Sequence, residues 1–394
     1  MHMIKKLKLK IYALSSYLLG HFLNADDDLW IIGAGNGYVF GDNSRYFYQW
    51  VIEKKNKKIF WVTKDLKIYH ALSKNEKTKD RVIYFYSLKS ILFIARAKVF
   101  ICSHGVNDIT PYVCKNRKLI CLWHGLPIKK IGDLTLSSYG KDNPLERGIK
   151  HVINSKKEYD VFLSPSLYYK EIFEKSFEGK ISEFIYAQYP RVTELKNKSN
   201  DIADNSDIKT ILYAPTFRDF VAPSYYEING IVPSKKLLSE LNCILGYNRY
   251  KLIIKLHPYI CIENSYMHEL IGFNNIIFAN KNDDVLDLLI NASVLITDYS
   301  SICFDFLTLG KEIIFLMPDY DQYVGQTRGL NFELKDFAPG KIFTNWNDLI
   351  KYIPVINRKF TLDDDYLKAL KMSNEFHTRT NSYIFDFIEK RAKL

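Results

Sequence analysis

The sequence predicts an α/β protein in which two Rossmann-like domains face a cleft. Short apolar runs alternate with segments of helical periodicity, which favours parallel sheets covered by helices on both faces. A polar stretch at residues 196–209 divides this alternation into two series. The length of 394 residues also favours two domains, at roughly 150 residues per domain. Two such sheets in tandem leave a cleft at the carboxyl ends of their strands, where ligands bind.

The amino-terminal segment, residues 1–23, combines four lysines with an apolar run. The lysines lie within residues 5–10, and the run at residues 11–23 is interrupted by serines and a glycine. It is too short to span a bilayer, and no small-residue cleavage site follows it. We therefore expect a basic amphipathic helix on an anionic membrane surface, with the protein cytoplasmic and peripheral on the inner face of the cell membrane. The alternative is a helix docked on the protein's own surface.

The first series supplies the predicted N-terminal domain, residues 1–196, on the membrane and acceptor side. Its helix at residues 42–54 starts with Asp, Asn and Ser and continues with apolar residues at helical spacing. A second helix is predicted at residues 87–96. The strands are short, mostly apolar runs. They are predicted at residues 29–33, 59–63, 81–85, 98–102, 119–123 and 161–164.

The second series supplies the predicted C-terminal domain, residues 199–363, which we expect to bind the donor nucleotide. The polar stretch before it is rich in Asn, Asp and Ser and is interpreted as a linker or surface loop. The final segment, residues 364–394, is predicted to be helical and to pack back toward the first domain. Strands are predicted at residues 210–214, 251–255, 275–279, 294–297 and 312–316, and helices at residues 234–245, 284–290 and 301–309.

Charge and cysteine content restrict the possible partners. With 55 Lys and Arg against 44 Asp and Glu, the net charge is +11, which favours anionic partners such as phosphorylated substrates and phospholipid headgroups. No RNP, KH or zinc-knuckle pattern accompanies the many aromatic residues, so no nucleic acid is expected as a partner. The six cysteines form no C-x-x-C pair, which argues against structural zinc and for a reducing compartment. P-loop, zincin and α/β-hydrolase motifs are absent from the sequence.

Four short polar blocks directly follow predicted strands. They are Trp-His-Gly-Leu-Pro-Ile-Lys-Lys at residues 123–130, Ala-Pro-Thr-Phe-Arg-Asp at 214–219, Leu-His-Pro at 256–258 and Thr-Asp-Tyr-Ser-Ser at 297–301. The carboxyl ends of parallel strands are where α/β proteins bind ligands. These blocks therefore contain the candidate site residues.

At these blocks the chain resembles the CDP-glycerol glycerophosphotransferases, the primases and polymerases of teichoic acid. The ordered W-H-G-x-P, L-Y-A-P-T-x-R-D, L-H-P and T-D-Y-S-S-x-x-F-D patterns all match. Further matches are Tyr189-Pro190-Arg191 and Tyr323 with Arg328-Gly329, so the resemblance runs over about residues 43–340. One departure is Val192-Thr193, where members of the family often carry Asn-Asp.

The resemblance implies a GT-B fold and an enzyme that transfers glycerol phosphate from CDP-glycerol to an acceptor hydroxyl, releasing CMP. It implies a lipid-linked or polymeric acceptor, in the synthesis of a teichoic-acid-like or capsular polymer. Three alternatives stay open: a CDP-ribitol donor, a glycosyltransferase with a nucleotide-sugar donor, and an inactive scaffold that binds a membrane or a partner. The intact histidines and serines of the blocks favour an enzyme over the scaffold.

His124 is the predicted general base and His257 the second predicted catalytic histidine. Histidine titrates near neutrality, and the Gly and Pro that follow His124 fix a tight turn that presents its ring at a strand end. His257 is expected to donate to the donor's phosphate, and His104 is a weaker candidate base. The structural alternative for His124 is a histidine that caps or packs under its turn, and for His257 it is a satisfied core histidine. The predicted acceptor-side residues are Trp123, Gly125, Pro127 and Lys129.

The donor site is predicted around the second and fourth blocks. Hydroxyl and backbone N–H groups at the helix start of Ser300 and Ser301 suit a diphosphate, and Arg218 offers a guanidinium fork. The alternatives are an ordinary helix cap and a surface pair of Arg218 with Asp219. No metal or other cofactor is expected, and the D-x-D pattern at residues 319–321 is interpreted as chance. The predicted donor-binding residues are Thr216, Arg218, Asp298, Ser300, Ser301 and Arg328.

Overall fold

The computed structural model describes residues 2–135, 156, 158–200, 207–218, 226–227, 229–257, 260, 266, 268, 271–280, 283–326, 329–333, 338–358 and 360–393. The chain divides into two compact units, each built from more than one stretch of sequence. The first unit comprises Met1–His124, Leu136–Glu194 and Glu375–Leu394, and the second comprises Gly125–Thr135 and Leu195–Asn374.

Strands and helices alternate along both units. The strands are β1 (Asp26–Ile32), β2 (Lys58–Thr63), β3 (Val82–Tyr84), β4 (Ala97–Cys102), β5 (Lys118–Cys121), β6 (Val161–Ser164), β7 (Phe184–Tyr186), β8 (Lys209–Tyr213), β9 (Tyr250–Ile254), β10 (Ile276–Phe278), β11 (Val294–Thr297), β12 (Glu312–Leu316) and β13 (Lys341–Phe343). The helices are α1 (His2–Phe22), α2 (Asp42–Lys54), α3 (Leu66–Lys74), α4 (Leu88–Arg96), α5 (Leu167–Ser176), α6 (Pro190–Asn200), α7 (Lys235–Tyr247), α8 (Val285–Asn291), α9 (Ile302–Leu307), α10 (Tyr320–Gln326), α11 (Trp346–Tyr352), α12 (Asp364–Asn374) and α13 (Asn381–Ala392).

The first unit contains a seven-stranded sheet in the order β3-β2-β1-β4-β5-β6-β7. All paired neighbours run parallel. Every residue of β6 is buried, which explains why its sequence is a continuous apolar run ending in a serine. The strand order reverses between β1 and β4, and in sheets of this kind ligands bind beyond the carboxyl ends of the strands at such a switch point.

The second unit repeats this topology with a six-stranded parallel sheet in the order β10-β9-β8-β11-β12-β13. Its switch point lies between β8 and β11. Leu238, Leu241 and Leu245 recur at helical spacing along α7. They belong to one hydrophobic cluster with buried residues of the sheet. The predicted α/β class with two parallel-sheet domains is therefore confirmed.

Helix α1 is held against the first unit by its buried face. It packs on α4, and its approach is close at Gly20, where a Cβ atom would lie 2.9 Å from Sγ of Cys114. The buried Arg117 guanidinium donates from Nη2 to the carbonyls of Gly20 at 3.0 Å, Leu23 at 3.2 Å and Ala95 at 2.9 Å. These bonds satisfy carbonyls that the ends of two helices leave without an intrahelical donor.

The other face of α1 is an apolar stripe exposed to solvent. Its residues recur every three or four positions, which places them on one side of the helix. Exposure reaches 69% for Ile4 and 84% for Phe22. None of the helices in the described part of the chain is both long and apolar enough to cross a lipid bilayer. The exposed stripe consists of Ile4, Leu7, Ile11, Leu14, Leu18 and Phe22.

Three segments differ from the sequence-based prediction. Residues 196–200 of the predicted linker form the last part of α6, because the preceding Pro190 starts a helix that continues into the polar stretch. The final segment contains two helices: α12 groups with the second unit and α13 with the first. Residues 125–135 follow a strand of the first sheet, yet they group with the second unit.

Candidate active site

Each unit carries a group of polar side chains beyond the carboxyl ends of its central strands. In the first unit, His104 follows β4 and His124 follows β5. In the second unit, Thr216 follows β8 and Asp298 follows β11. These are the strands at or beside the two switch points, so the fold places both groups where α/β proteins bind ligands.

The ring of His124 is held in one tautomer. Its Nδ1 atom lies 3.0 Å from the main-chain carbonyl oxygen of Ser103. A carbonyl can only accept, so Nδ1 carries the proton and donates it there. The Nε2 atom is left with the lone pair, which is the form that a general base requires.

The turn that presents His124 is strained and held by buried polar groups. Trp123 adopts φ of 56°, in the left-handed region that a bulky residue rarely occupies. The buried Asn43 donates from Nδ2 to the carbonyls of Leu122 at 3.1 Å and Trp123 at 2.9 Å. Arg191 donates from Nη1 to the His124 carbonyl at 2.9 Å. These three bonds fix the backbone on both sides of the strained residue.

A second histidine stacks on the first. The rings of His104 and His124 lie 4.1 Å apart between centroids and are inclined by 11°. Nε2 of His104 lies 3.5 Å from Oδ2 of Asp42, and Nδ1 lies 3.7 Å from Oδ2 of Asp108. The N–H of Gly35 donates to the same Nδ1 at 3.2 Å.

The surroundings shift the pKa values of the two rings in opposite directions. Burial lowers the pKa of His124 to about 4, and the neighbouring His104 adds to this effect. Burial alone would also lower the pKa of His104, but the nearby carboxylates of Asp108 and Asp42 outweigh it and raise that pKa. His124 is therefore neutral at physiological pH.

Asp108 anchors the loops around this histidine pair. It is fully buried and accepts from the backbone N–H groups of Asn36 at 2.7 Å, Ser103 at 2.9 Å and His104 at 2.7 Å. Burial would raise its pKa, yet the nearby ring of His104 and the bonds from the backbone N–H groups lower it, so Asp108 stays charged. Asp42, Asn43 and Asp108 were not among the predicted site residues, because isolated Asp and Asn residues near strand ends carry no motif. Arg191 was present only as a match to the Y-P-R pattern.

In the second unit, Thr216 and Asp298 are joined directly. Asp298 accepts the backbone N–H of Thr216 at 2.9 Å on Oδ1 and 3.0 Å on Oδ2, and the Thr216 hydroxyl at 2.6 Å on Oδ1. The side chain of Asp298 is fully buried. This carboxylate therefore ties the loop after β8 to the loop after β11.

Arg218 is also a buried structural residue. Its guanidinium pairs with Asp298 through Nη1 and forms a two-pronged contact with Asp319, from Nε at 2.9 Å and Nη2 at 2.9 Å. The side chain is 1% exposed, and the stacked rings of Tyr299 and Tyr323 lie 5.2 Å from its Cζ. Burial opposes its charge, but the two carboxylates outweigh burial and raise its pKa.

This arrangement does not fit the prediction that Arg218 binds the donor directly. All three guanidinium nitrogens face protein acceptors, so we revise its role to one that positions Thr216 and Asp298. The predicted alternative, a surface pair with Asp219, does not describe Arg218 either, because its side chain is buried. Asp319 of the D-x-D pattern is engaged by this guanidinium. Among the described residues, no group of three or more His, Cys, Asp or Glu is arranged to hold a metal ion.

Ser300 and Ser301 lie at the start of α9 and are partly exposed. The side chain of Ser301 makes no capping hydrogen bond, and the Ser300 hydroxyl is 3.5 Å from the backbone N of Ile302. The Ser300 hydroxyl therefore lies beside a backbone N–H at a helix start, and the donor-binding role of both serines stays a prediction.

His257 and Lys129 supply basic groups to the second unit. His257 follows β9, is exposed, and has its ring 5.1 Å from that of Phe217. Desolvation at the sheet edge and the charges of Lys255 and Lys129 lower its pKa. The ammonium of Lys129 lies 4.9 Å from the ring centre of Tyr323.

The placement of Lys129 differs from the prediction of an acceptor-side residue in the first domain. Gly125, Pro127 and Lys129 all group with the second unit. Lys129 pairs with Leu330 in an antiparallel bridge, and Asn331 donates from Nδ2 to the carbonyls of Pro127 at 2.8 Å and Lys129 at 2.9 Å. The sequence of this loop gave no sign of these long-range bonds. Trp123 stays in the first unit, and Arg328 and Asp219 lie outside the described residues.

Comparison with known proteins gives a consistent result. The family model for CDP-glycerol:poly(glycerophosphate) glycerophosphotransferases matches residues 15–383. The teichoic acid poly(glycerol phosphate) polymerase of Bacillus spizizenii is 29% identical over 365 residues, which cover 89% of this chain and 88% of that protein. The teichoic acid glycerol-phosphate transferase of Staphylococcus aureus is 26% identical over 353 residues, covering 85% of this chain and 84% of that protein. The structure of the wall teichoic acid polymerase TagF matches the fold with a TM-score of 0.69, at 22% identity over 99% of this chain and 95% of that chain.

Proposed function

This chain belongs to the CDP-glycerol:poly(glycerophosphate) glycerophosphotransferase family, and from this premise we propose how its residues carry out the transfer. The enzyme moves glycerol phosphate from CDP-glycerol to a hydroxyl of a growing teichoic-acid-like or capsular polymer, and CMP is released. The acceptor oxygen forms a bond to the phosphorus that bears glycerol. The bond from that phosphorus to the bridging oxygen breaks, and its electron pair leaves with CMP.

His124 serves as the general base of this reaction. An alcohol is a weak nucleophile at neutral pH, so a base within hydrogen-bond reach speeds its attack. The observation that supports this role is the bond from Nδ1 to the Ser103 carbonyl, which leaves the Nε2 lone pair to take the hydroxyl proton. The lowered pKa keeps the ring neutral at physiological pH, which is the state in which Nε2 can act as a base.

The second unit binds the donor's diphosphate. Ser300 and Ser301 offer hydroxyl and backbone donors, and His257 and Lys129 offer charged or ring N–H donors. Such donors stabilise the negative charge that develops on the leaving phosphate. Thr216 and Arg218 act by holding the loops in place around Asp298.

We propose that no metal or other cofactor takes part. The two buried carboxylates near the predicted donor site, Asp298 and Asp319, already accept from Thr216 and Arg218. The basic and hydroxyl groups of the second unit are then the available means of stabilising phosphate charge. Turnover that survives EDTA is the expected outcome, whereas loss that Mg²⁺ or Mn²⁺ restores would overturn this part.

The donor is tested by product release. The protein is incubated with CDP-glycerol, CDP-ribitol or nucleotide sugars together with a glycerol-phosphate-primed acceptor, and the released nucleotide is measured. We expect CMP from CDP-glycerol. CMP from CDP-ribitol alone would move the protein to the ribitol donor, and release from a nucleotide sugar alone would favour a glycosyltransferase. No release from any of them would favour the inactive scaffold.

We further propose that α1 holds the enzyme on the inner, anionic face of the cell membrane, where a lipid-linked acceptor is found. The exposed stripe on α1 lies opposite its buried face, and lysines at residues 5–10 are exposed or partly exposed nearby. Apolar residues with flanking lysines are typical of helices in the interface of anionic membranes. Sedimentation with anionic vesicles tests this role: loss of apolar residues from the exposed stripe should weaken it.

A further inference from the structure

We propose that His104 is a positioning residue for His124: it takes the first proton that the stacked pair binds, so that His124 remains in the neutral Nδ1–H form. This inference rests on the proposed role of His124 as base. It deepens that role by naming the residue that controls the charge of the base.

The stacking geometry makes the two rings a single titrating unit. Their centroids are 4.1 Å apart and the planes are inclined by only 11°. Two positive charges at this separation repel strongly in a partly buried site. The pair therefore binds one proton readily and the second only at lower pH, as expected for coupled groups.

The charges around the pair decide which ring takes the first proton. Asp42, from the start of α2, faces Nε2 of His104 at 3.5 Å. Asp108, from the turn at residues 106–108, faces Nδ1 of His104 at 3.7 Å. Both nitrogens of His104 thus face a carboxylate. When the ring gains a second proton, that proton lies on Nδ1, which then donates to Asp108 and no longer accepts from the N–H of Gly35.

His124 has the opposite surroundings. Its Nδ1 already donates to Ser103, and the guanidinium of Arg191, from α6, donates to its carbonyl. Nη1 of Arg191 also lies 3.6 Å from Oδ1 of Asp42. The positive charge of Arg191 therefore offsets the attraction of Asp42 for a proton on His124. Asp42 favours a charge on His124, but Arg191, His104 and burial oppose it. The asymmetry directs the first proton to His104.

The experiment follows the protonation of each ring in the full-length protein. Long-range ¹H–¹⁵N spectra of ¹⁵N-histidine-labelled protein report the charge and tautomer of each imidazole across pH. Two variants remove the charge of His104 in different ways: His104→Phe keeps a flat ring, and His104→Gln keeps an acceptor for Gly35 N–H. His70→Phe, at an exposed histidine of α3, is the matched control.

In the unmodified protein we expect His104 to protonate before His124. Both His104 variants should raise the midpoint for His124 by about one pH unit, as expected when a coupled charge is removed. The midpoint of the acid limb of the kcat/KM profile should rise by the same amount. The His70→Phe control should change neither midpoint. His124 protonating before His104 in the unmodified protein, or a midpoint unchanged in both variants, would overturn the proposal. Because ring signals are read without turnover, this test stands even if CDP-glycerol proves not to be a substrate.

Discussion

The main-chain carbonyl of Ser103 fixes the proton of His124 on Nδ1, across 3.0 Å. The same residue bonds elsewhere through its side chain, since its Oγ lies 2.7 Å from the hydroxyl of Ser44. The proposed base is therefore oriented by a main-chain carbonyl at the end of a buried strand, which is more rigid than a loop side chain. Substitution of His124 should then remove the proposed base without unfolding the turn that carries it.

His124→Ala should lower turnover by about 10²–10⁴-fold, the usual loss when a general base is removed. Affinity for CDP-glycerol should change little, because the proposed diphosphate site lies in the second unit and does not include His124. Steady-state turnover and calorimetric donor binding measure the two effects separately. His70→Ala, at an exposed histidine of the same unit, is the control and should be normal. A folded His124→Ala protein with near-normal turnover would contradict the assignment.

The pH dependence of kcat/KM should be flat on its acid side down to about pH 5. The base works when neutral, and its pKa is lowered to about 4, so protonation removes activity only as the pH approaches that value. An unperturbed histidine would give a midpoint near 6.5. Initial rates at low substrate concentration across pH measure this limb. An acid midpoint above 6 would show that the ring is not held neutral.

Replacement of both Ser300 and Ser301 by alanine should weaken donor binding by about 1–3 kcal/mol, through lost charge-assisted hydrogen bonds. Titration calorimetry with CDP-glycerol and with CMP measures the change. Ser293→Ala is a suitable control, because Ser293 precedes β11 at the opposite end of that strand. Equal donor affinity in the double variant and the control would place the diphosphate elsewhere.

Arg218→Met should lower the free energy of unfolding by about 3–5 kcal/mol. The substitution leaves Asp298 and Asp319 buried without their shared cation, which is the costly way to break a buried ion pair. Urea denaturation measures the change. The exposed Arg358→Met, in the same unit, should stay within about 0.5 kcal/mol of the unmodified protein. If Arg218→Met were as stable as that control and bound CDP-glycerol more weakly, Arg218 would be a donor ligand after all.

Leu7→Ser with Leu18→Ser should weaken sedimentation with anionic vesicles. Each leucine contributes up to about 1.5–3 kcal/mol when fully buried in an apolar phase. The pair Leu66→Ser and Leu167→Ser, exposed leucines on other helices of the first unit, is the matched control. High salt should weaken binding further by screening the lysines. Unchanged sedimentation in the α1 variant would leave α1 as a helix that only packs on the protein.

The parts of the fold that were predictable are those encoded by local pattern. Val161–Ser164, Val294–Thr297 and Glu312–Leu316 are strands at the predicted residues, because fully buried parallel strands are continuous apolar runs. The helix Asp42–Lys54 also has the predicted bounds. Strands β7 and β13 were not predicted. Each has only three residues, but so do β3 and β10, whose segments were predicted, so short length alone does not explain the omission.

The parts of the site that escaped prediction depend on distant contacts. Arg218 was expected at a ligand because a guanidinium after a strand suits phosphate, but its partner Asp319 is about a hundred positions away in sequence. Lys129 was assigned to the wrong unit because its bonds to Leu330 and Asn331 span about two hundred positions. No local period reports such pairs.

The first unit combines early segments of the sequence with residues 375–394, and this affects how it folds during synthesis. Trp30, on the central strand β1, lies 5.2 Å from the ring of Phe385, on α13. Lys57 likewise donates to Glu389 at 3.3 Å. Ribosomes add roughly 5–20 residues per second, so Phe385 is synthesised on the order of 20–70 seconds after Trp30. During that interval the apolar surface that α13 later covers is exposed on the nascent sheet, where a chaperone can bind it. A protein of residues 1–194 alone would leave that surface exposed permanently.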